Sequence, residues 1–157
     1  MSTRPPTGYD DLLLDRQLCF ALHAASRAVV REYTPLLNEL GLTYPQYVTM
    51  MVLWAAPERP HTVGELGEAV QMDSGTLTPL LKRLERDGLV TRSRDQADER
   101  RVNVQLTDAG VALRDRATNV PRAMAARFGM TLDEGRQLKA QLERLTSTLT
   151  GEGPTPA

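Results

Sequence analysis

Leu77, Leu80, Leu81 and Leu84 recur at i, i+3, i+4 and i+7, a narrow apolar stripe of helical period. The opposite arc carries Gly75, Pro79, Lys82 and Arg86, flanked by Thr76, Thr78 and Arg83. Asp73 or Ser74 can cap the start, and Gly88 is a C′ stop. The pattern predicts a helix anchored by leucines, slim on its outer face at the N-terminal half and basic at the C-terminal half. Just before it, Thr62-Val63-Gly64-Glu65 has the form of a capping box opening a short helix with Leu66, Ala69 and Val70. Gln71-Met72 then serves as a turn, and two helices joined so tightly form a helix-turn-helix. Behind Gly88, residues 89–94 and 101–106 flank a charged tip, and Val102, Val104 and Leu106 alternate with polar residues at period two. A β-hairpin placed there is the wing of a winged helix.

The flanks are helical in pattern. A long helix is expected from near Asp10, through Leu14, Leu18, Leu22, Ala25 and Val29, to Leu36, Leu37 and Leu40, ending at Gly41. Pro35 kinks or interrupts it without ending it. Thr43-Tyr44-Pro45-Gln46 is a capping box with proline in the first turn, opening a helix whose buried face is Tyr47, Met50, Met51 and Trp54. Residues 56–60 read as a loop. Thr107-Asp108 begins a fifth helix (Leu113, Ala117, Val120, Met124, Phe128) bent at Pro121. A third capping box, Thr131 to Glu134, opens a last helix with Leu138, Leu142, Leu145 and Leu149 in a heptad-like seam. These stripes exceed what one subunit can cover, so a homodimer is expected, with its two recognition helices about 34–36 Å apart over a pseudo-palindromic DNA site. The fold class is mainly α (α+β), a winged helix-turn-helix with N- and C-terminal dimerisation helices. Residues 1–8 are expected as a flexible arm, 9–150 as one domain (dimerisation helices 9–40 and 108–150, winged helix-turn-helix 43–107), and 151–157 as a disordered tail.

The 157 residues carry a formal net charge of −1, so a DNA surface has to be a local cluster. Ser74, Gly75, Thr76 and Thr78 let a helix backbone approach base edges, while Lys82 and Arg83 reach phosphates or bases. At the hairpin, Arg94 and Arg100 are candidates for the minor groove, with the Asp98 carboxylate orienting an arginine. No apolar run approaches the ~20 residues of a membrane span, and the N-terminus lacks a signal-peptide pattern, so a cytoplasmic protein is expected. One cysteine, Cys19, excludes an internal disulfide, and with only His23 and His61 as further soft ligands neither a metal nor another cofactor is expected. His61, Met50, Met51 and Trp54 read as structural. Taken by itself, Cys19 reads as a small buried hydrophobe.

The helix pair from Val63 to Gly88 and the wing Asp98-Glu99-Arg100-Arg101, leading into Leu106-Thr107-Asp108-Ala109-Gly110, resemble the MarR family of winged-helix regulators. Three further motifs resemble its OhrR branch, the organic hydroperoxide resistance regulators. They are Leu18-Cys19-Phe20-Ala21-Leu22, Leu42-Thr43-Tyr44-Pro45-Gln46-Tyr47, and Asp73-Ser74-Gly75-Thr76 followed by Leu77-Thr78-Pro79-Leu80-Leu81-Lys82-Arg83. The match runs from about residue 12 to 149. The resemblance implies a repressor that leaves its operator when an organic hydroperoxide oxidises Cys19, with Tyr33 and Tyr44 hydrogen-bonding the reactive cysteine. His23 stands where members of the family often have tyrosine; it either assists the thiolate or fills a core position. The resolving cysteine of some branch members is absent. Sulfenic acid at Cys19 would therefore be capped by a low-molecular-weight thiol, cyclise with a backbone nitrogen, or over-oxidise.

A sensing cysteine is partly thiolate near pH 7, against an ordinary pKa of about 8.5. On the register above, Cys19 sits mid-helix, too far from the helix N-terminus to profit from it. Tyr33 lies fourteen positions on, about 21 Å along a straight helix at ~1.5 Å per residue, so each Cys19 is expected to be served by Tyr33 and Tyr44 of the other subunit. Two other functions fit the same residues. One is a MarR-type repressor released by a phenolic or other small ligand, with Cys19 inert. The other is a thiol peroxidase using Cys19 and His23, which lacks a resolving cysteine and any other catalytic cluster; the expectation is that the chain is not an enzyme.

Overall fold

The computed structural model describes residues 8–151, and the remaining residues of the expected arm and tail lie outside the described ones. The chain forms two compact units, residues 1–122 and 123–157. Among the described residues, seven α-helices and three strands follow in the order α1 (Leu18–Asn38), α2 (Tyr44–Ala55), β1 (His61–Thr62), α3 (Val63–Val70), α4 (Ser74–Arg86), β2 (Val90–Arg94), β3 (Val102–Leu106), α5 (Asp108–Ala117), α6 (Val120–Arg127) and α7 (Leu132–Thr150). The boundary between the units falls inside α6.

α1 begins eight residues later than the apolar pattern predicts. Two single turns of 3₁₀ helix, Asp10–Leu12 and Leu14–Arg16, precede it, separated by Leu13 in an extended conformation. The Gln17 side chain explains the break, because its amide donates to the Leu13 carbonyl (3.2 Å) and to that of Asp11, carbonyls a continuous helix would use itself. Gln17 is extended and caps α1 without a side-chain hydrogen bond. Pro35 is accommodated within α1, which stops at Asn38; Gly41 (φ +69°) then lets the Leu42 N–H donate back to the Leu37 carbonyl at 3.0 Å.

The three capping boxes form as their sequences require, at Thr43/Gln46, Thr62/Glu65 and Thr131/Glu134. Asp73, rather than Ser74, caps α4: its Oδ1 accepts the Thr76 N–H at 2.9 Å and its Oδ2 the Thr76 hydroxyl at 3.0 Å. The turn between α3 and α4 places Gln71 in the left-handed region (φ 54°), the one described non-glycine residue there. Leu77, Leu80, Leu81 and Leu84 are all buried and join Leu66, Leu53, Met50 and Tyr47 in the core of the first unit. Met51 is exposed, contrary to expectation: Tyr47, Met50, Leu53 and Trp54 recur at i, i+3, i+6 and i+7 as the inner face of α2, and Met51 falls outside that arc.

The wing has one strand more than its pattern suggests. β1 adds to the edge of β3, giving the antiparallel order β1-β3-β2 with His61 opposite Val104. His61 is thus a buried strand residue, in keeping with the structural role its sequence position suggests. Pro121 ends the expected fifth helix instead of bending it. Its ring has no N–H to donate and would press on the Ala117 carbonyl, so α5 closes at Ala117 and α6 opens at Val120. In the second unit Leu138, Leu142 and Leu149 of α7 are exposed.

Several carboxylates at these caps and turns titrate below their ordinary range. Asp73 is lowered by the Thr76 N–H, Glu85 by the Arg92 guanidinium, and Asp95 by the Asn103 amide. A folded-state value below the unfolded one (~4) gives stability that is complete above that value and is lost as pH falls through the folded value. The thermal midpoint is therefore expected to be level from pH 7 to about 5 and to fall below about 4. A midpoint at pH 3 equal to that at pH 7 would remove these carboxylates from the account.

Candidate DNA-reading face and cysteine site

The outer side of α4 presents Ser74, Gly75, Thr76, Lys82 and Arg83 exposed and Thr78 half-buried, as the stripe beneath them requires. Neither Lys82 nor Arg83 makes an ion pair among the described residues, so both cations are available to a polyanion. The C-terminal end of α4 is clamped to the wing. Arg92 donates through Nε (2.9 Å) and Nη2 (2.8 Å) to Glu85 Oε2, and its backbone N–H donates to Oε1 at 3.1 Å. This two-pronged, partly buried pair ties the helix to β2. Arg92 is thereby occupied and is not one of the free wing cations.

The wing tip is organised by a carboxylate, though another than expected. Asp95 Oδ1 accepts the N–H groups of Ala97 (2.8 Å) and Asp98 (3.2 Å), and Oδ2 accepts the Asn103 amide at 3.0 Å. The backbone of Asp95 donates to the Arg101 carbonyl at 2.9 Å, closing the loop. Asp98 accepts the backbone N–H of Arg100 at 3.1 Å. It shapes the turn rather than gripping the guanidinium. Arg94, Arg100 and Arg101 stay exposed at the tip, with no ion pair among the described residues.

Cys19 is exposed and occupies the second position of α1, not its middle. His23 is exposed one turn further on the same face, so it does not fill a core position within the subunit. At the other end of α1, Tyr33 meets Tyr44 with ring centroids 4.9 Å apart and Tyr47 at 5.8 Å. Burial, followed by the neighbouring phenols Tyr44 and Tyr47, pushes Tyr33 above its ordinary value, so its hydroxyl remains a donor at physiological pH. α1 is unbroken between residues 19 and 33, so about 21 Å separates Cys19 from Tyr33 of the same chain.

A family model described as transcriptional regulator SarA/Rot matches residues 31–116. The organic hydroperoxide resistance transcriptional regulator of Bacillus subtilis (strain 168) is 42% identical over 141 residues, 90% of this chain and 95% of that protein. The chain is a MarR-type winged-helix regulator of the SarA/Rot group. A second relative of this regulator, the HTH-type transcriptional regulator TtmR of Methylorubrum extorquens (strain PA1), is 47% identical over 149 residues, 94% of this chain and 75% of that protein. Among solved structures, overoxidized AbfR bound to DNA aligns with a TM-score of 0.72 and 34% identity, covering 91% of this chain and 99% of that one. Reduced AbfR bound to DNA aligns with a TM-score of 0.72 and 33% identity, covering 92% and 99%; AbfR is a Staphylococcus epidermidis protein. These relatives are transcription factors rather than enzymes. No helix of this regulator is long and apolar enough to cross a membrane, among the described residues.

Sequence reasoning missed the residues that support the site. Glu85 lay on a surface arc and Asp95 inside a charge run, and neither position signals a partner seven or eight residues away. Gly110 carried a readable signal, a glycine three residues into a helix.

Proposed function

We propose that this regulator is a homodimeric DNA-binding repressor that organic hydroperoxides release from its operator by oxidising Cys19. α4 enters the major groove, with Ser74, Gly75, Thr76 and Thr78 at base edges and Lys82 and Arg83 behind them; Arg94 and Arg100 of the wing reach the adjacent minor groove, their loop shaped by Asp98 and Asp95. DNA on two solved AbfR structures supports this docking. The domain plan is dimerisation helices around a winged helix-turn-helix at 43–107. The exposed leucines of α7 and the exposed Leu18 and Phe20 beside Cys19 are the surfaces a partner subunit would cover.

The observation that carries the redox reading is the placement of Cys19 and the phenol pair at opposite ends of one helix. On this reading the two halves of a peroxide site lie toward opposite ends of α1, and a crossing partner helix joins them. A Cys19 thiolate attacks the terminal peroxide oxygen; the S–O bond forms, the O–O bond breaks, and the alcohol leaves with a proton. Tyr33 and Tyr44 hold the thiolate and the departing oxygen through their hydroxyls, and His23 stands one turn away. The sulfenic acid then condenses with a small thiol, giving a mixed disulfide and water. AbfR is found on DNA while overoxidized, which favours the mixed disulfide over further oxidation as the releasing species.

The test is a gel shift on an operator that the protein itself selects from randomised duplexes. Reduced protein, protein treated with one equivalent of cumene hydroperoxide and then glutathione, and Cys19→Ser under the same treatment are compared. Wild type is expected to release and Cys19→Ser to stay bound. Retention of both would leave a repressor answering to a ligand instead, and consumption of many equivalents of peroxide per Cys19 would point to an enzyme.

A further inference from the structure

We propose that Trp54 is a positioning residue that couples the phenol pair to the junction between recognition helix and wing, a role that rests on the redox reading above. The links are continuous. Tyr33 packs on Tyr47 at 5.8 Å, and Tyr47 meets the edge of Trp54 at 6.3 Å and 67°. Tyr47 and Trp54 are buried, 3% and 6% exposed, so they have no solvent into which to yield. The indole N–H of Trp54 donates to the Gly110 carbonyl at 2.8 Å, a fully buried bond spanning 56 residues of sequence.

Gly110 lies directly on the junction. A Cβ built there would stand 2.1 Å from the Leu89 carbonyl oxygen and 3.1 Å from its carbon. That carbonyl accepts the Thr107 N–H at 3.1 Å, and the Leu89 N–H donates to Leu84 at the end of α4 at 2.9 Å. The Thr107 hydroxyl grips the Gly88 carbonyl at 2.6 Å. Gly88 and Leu89 are the last two of the three residues between α4 and β2, so the start of α5 fixes the angle between the helix and the wing. A shift of the phenols reaches that angle through one indole and one hydrogen bond. The reduced state holds Trp54 against Gly110; bulk added at a partner's Cys19 displaces Tyr33, Tyr47 and then the indole, and the wing leaves its groove.

Trp54 is the chain's one tryptophan, so its emission under excitation that spares tyrosine reports on this link alone. Two measurements test the relay, both with cumene hydroperoxide followed by glutathione. In wild type, Trp54 emission is expected to change with the same time course as DNA release, and to stay constant in Cys19→Ser. Trp54→Phe keeps the ring and removes the donor. It is expected to bind DNA when reduced within about threefold of wild type and to oxidise at Cys19 at the wild-type rate, measured by mass spectrometry. Its ratio of oxidised to reduced Kd is expected to fall at least ~fivefold, the lower end of allosteric coupling factors. A purely structural role would weaken both states equally and leave the ratio alone. Unchanged Trp54 emission during release, or an unchanged Kd ratio in Trp54→Phe, overturns the relay and leaves the redox reading standing. Wild type that is oxidised yet keeps its DNA overturns both. If Trp54→Phe does not fold, the wild-type emission decides by itself.

Discussion

A chain carrying Arg94→Ala and Arg100→Ala is expected to lose operator affinity by about 10³-fold at ~0.15 M salt. Each arginine that neutralises a phosphate weights log K by ~0.9 of log[salt], and a dimer loses four of them. The slope of log K against log[salt] is expected to become shallower by about 3.6. Both side chains are exposed at a tip whose backbone is held by Asp95, Asn103 and Arg101, so the substitutions remove charge without loosening the loop. Thermal midpoints are expected to stay with wild type. A double variant with an unaltered salt slope would place these arginines away from DNA and return the wing to a solvated hairpin.

Gly110→Ala is expected to be the most damaging single methyl in the chain. Its Cβ would sit 2.1 Å from a backbone oxygen, and backbone cannot swing aside as a side chain can. Overpacking of this kind costs about 1–3 kcal/mol, which at ~2–4 °C per kcal/mol for a chain of this size lowers the thermal midpoint by about 2–12 °C. DNA affinity is expected to fall with it, because the junction at Leu89 must open to admit the methyl. Gly64→Ala is the control. Its Cβ would find only the Thr62 hydroxyl, at 3.8 Å, and alanine in a helix is expected to add about 0.5–1 kcal/mol. Opposite signs for the two substitutions in scanning calorimetry would bear out the contact. Equal stability of Gly110→Ala and wild type would show slack at the junction.

The parts of this fold that local sequence specifies were readable from it. A capping box needs four residues, and all three boxes form; the leucine stripe of α4 needs about two helix turns of context, and its four leucines are buried. Errors arose where distant residues decide. β1 exists because residues 61 and 62 find Val104 and Asn103, some forty positions away. The late start of α1 depends on one glutamine side chain competing for two carbonyls, which apolar periodicity does not register. That difference matters most for the candidate site, since it moves Cys19 from mid-helix to the second position of α1. The bond from Trp54 to Gly110 was invisible for the same reason: nothing near Trp54 announces an acceptor 56 residues on.

The unbroken run of α1 between Cys19 and Tyr33 has a further consequence on the proposed pairing of subunits. Neither chain owns a complete detector; each lends half of two. On the redox reading proposed above, below the concentration at which chains pair the regulator forfeits its grip on two half-sites and its perception of peroxide together. Abundance and vigilance are set by one dissociation constant.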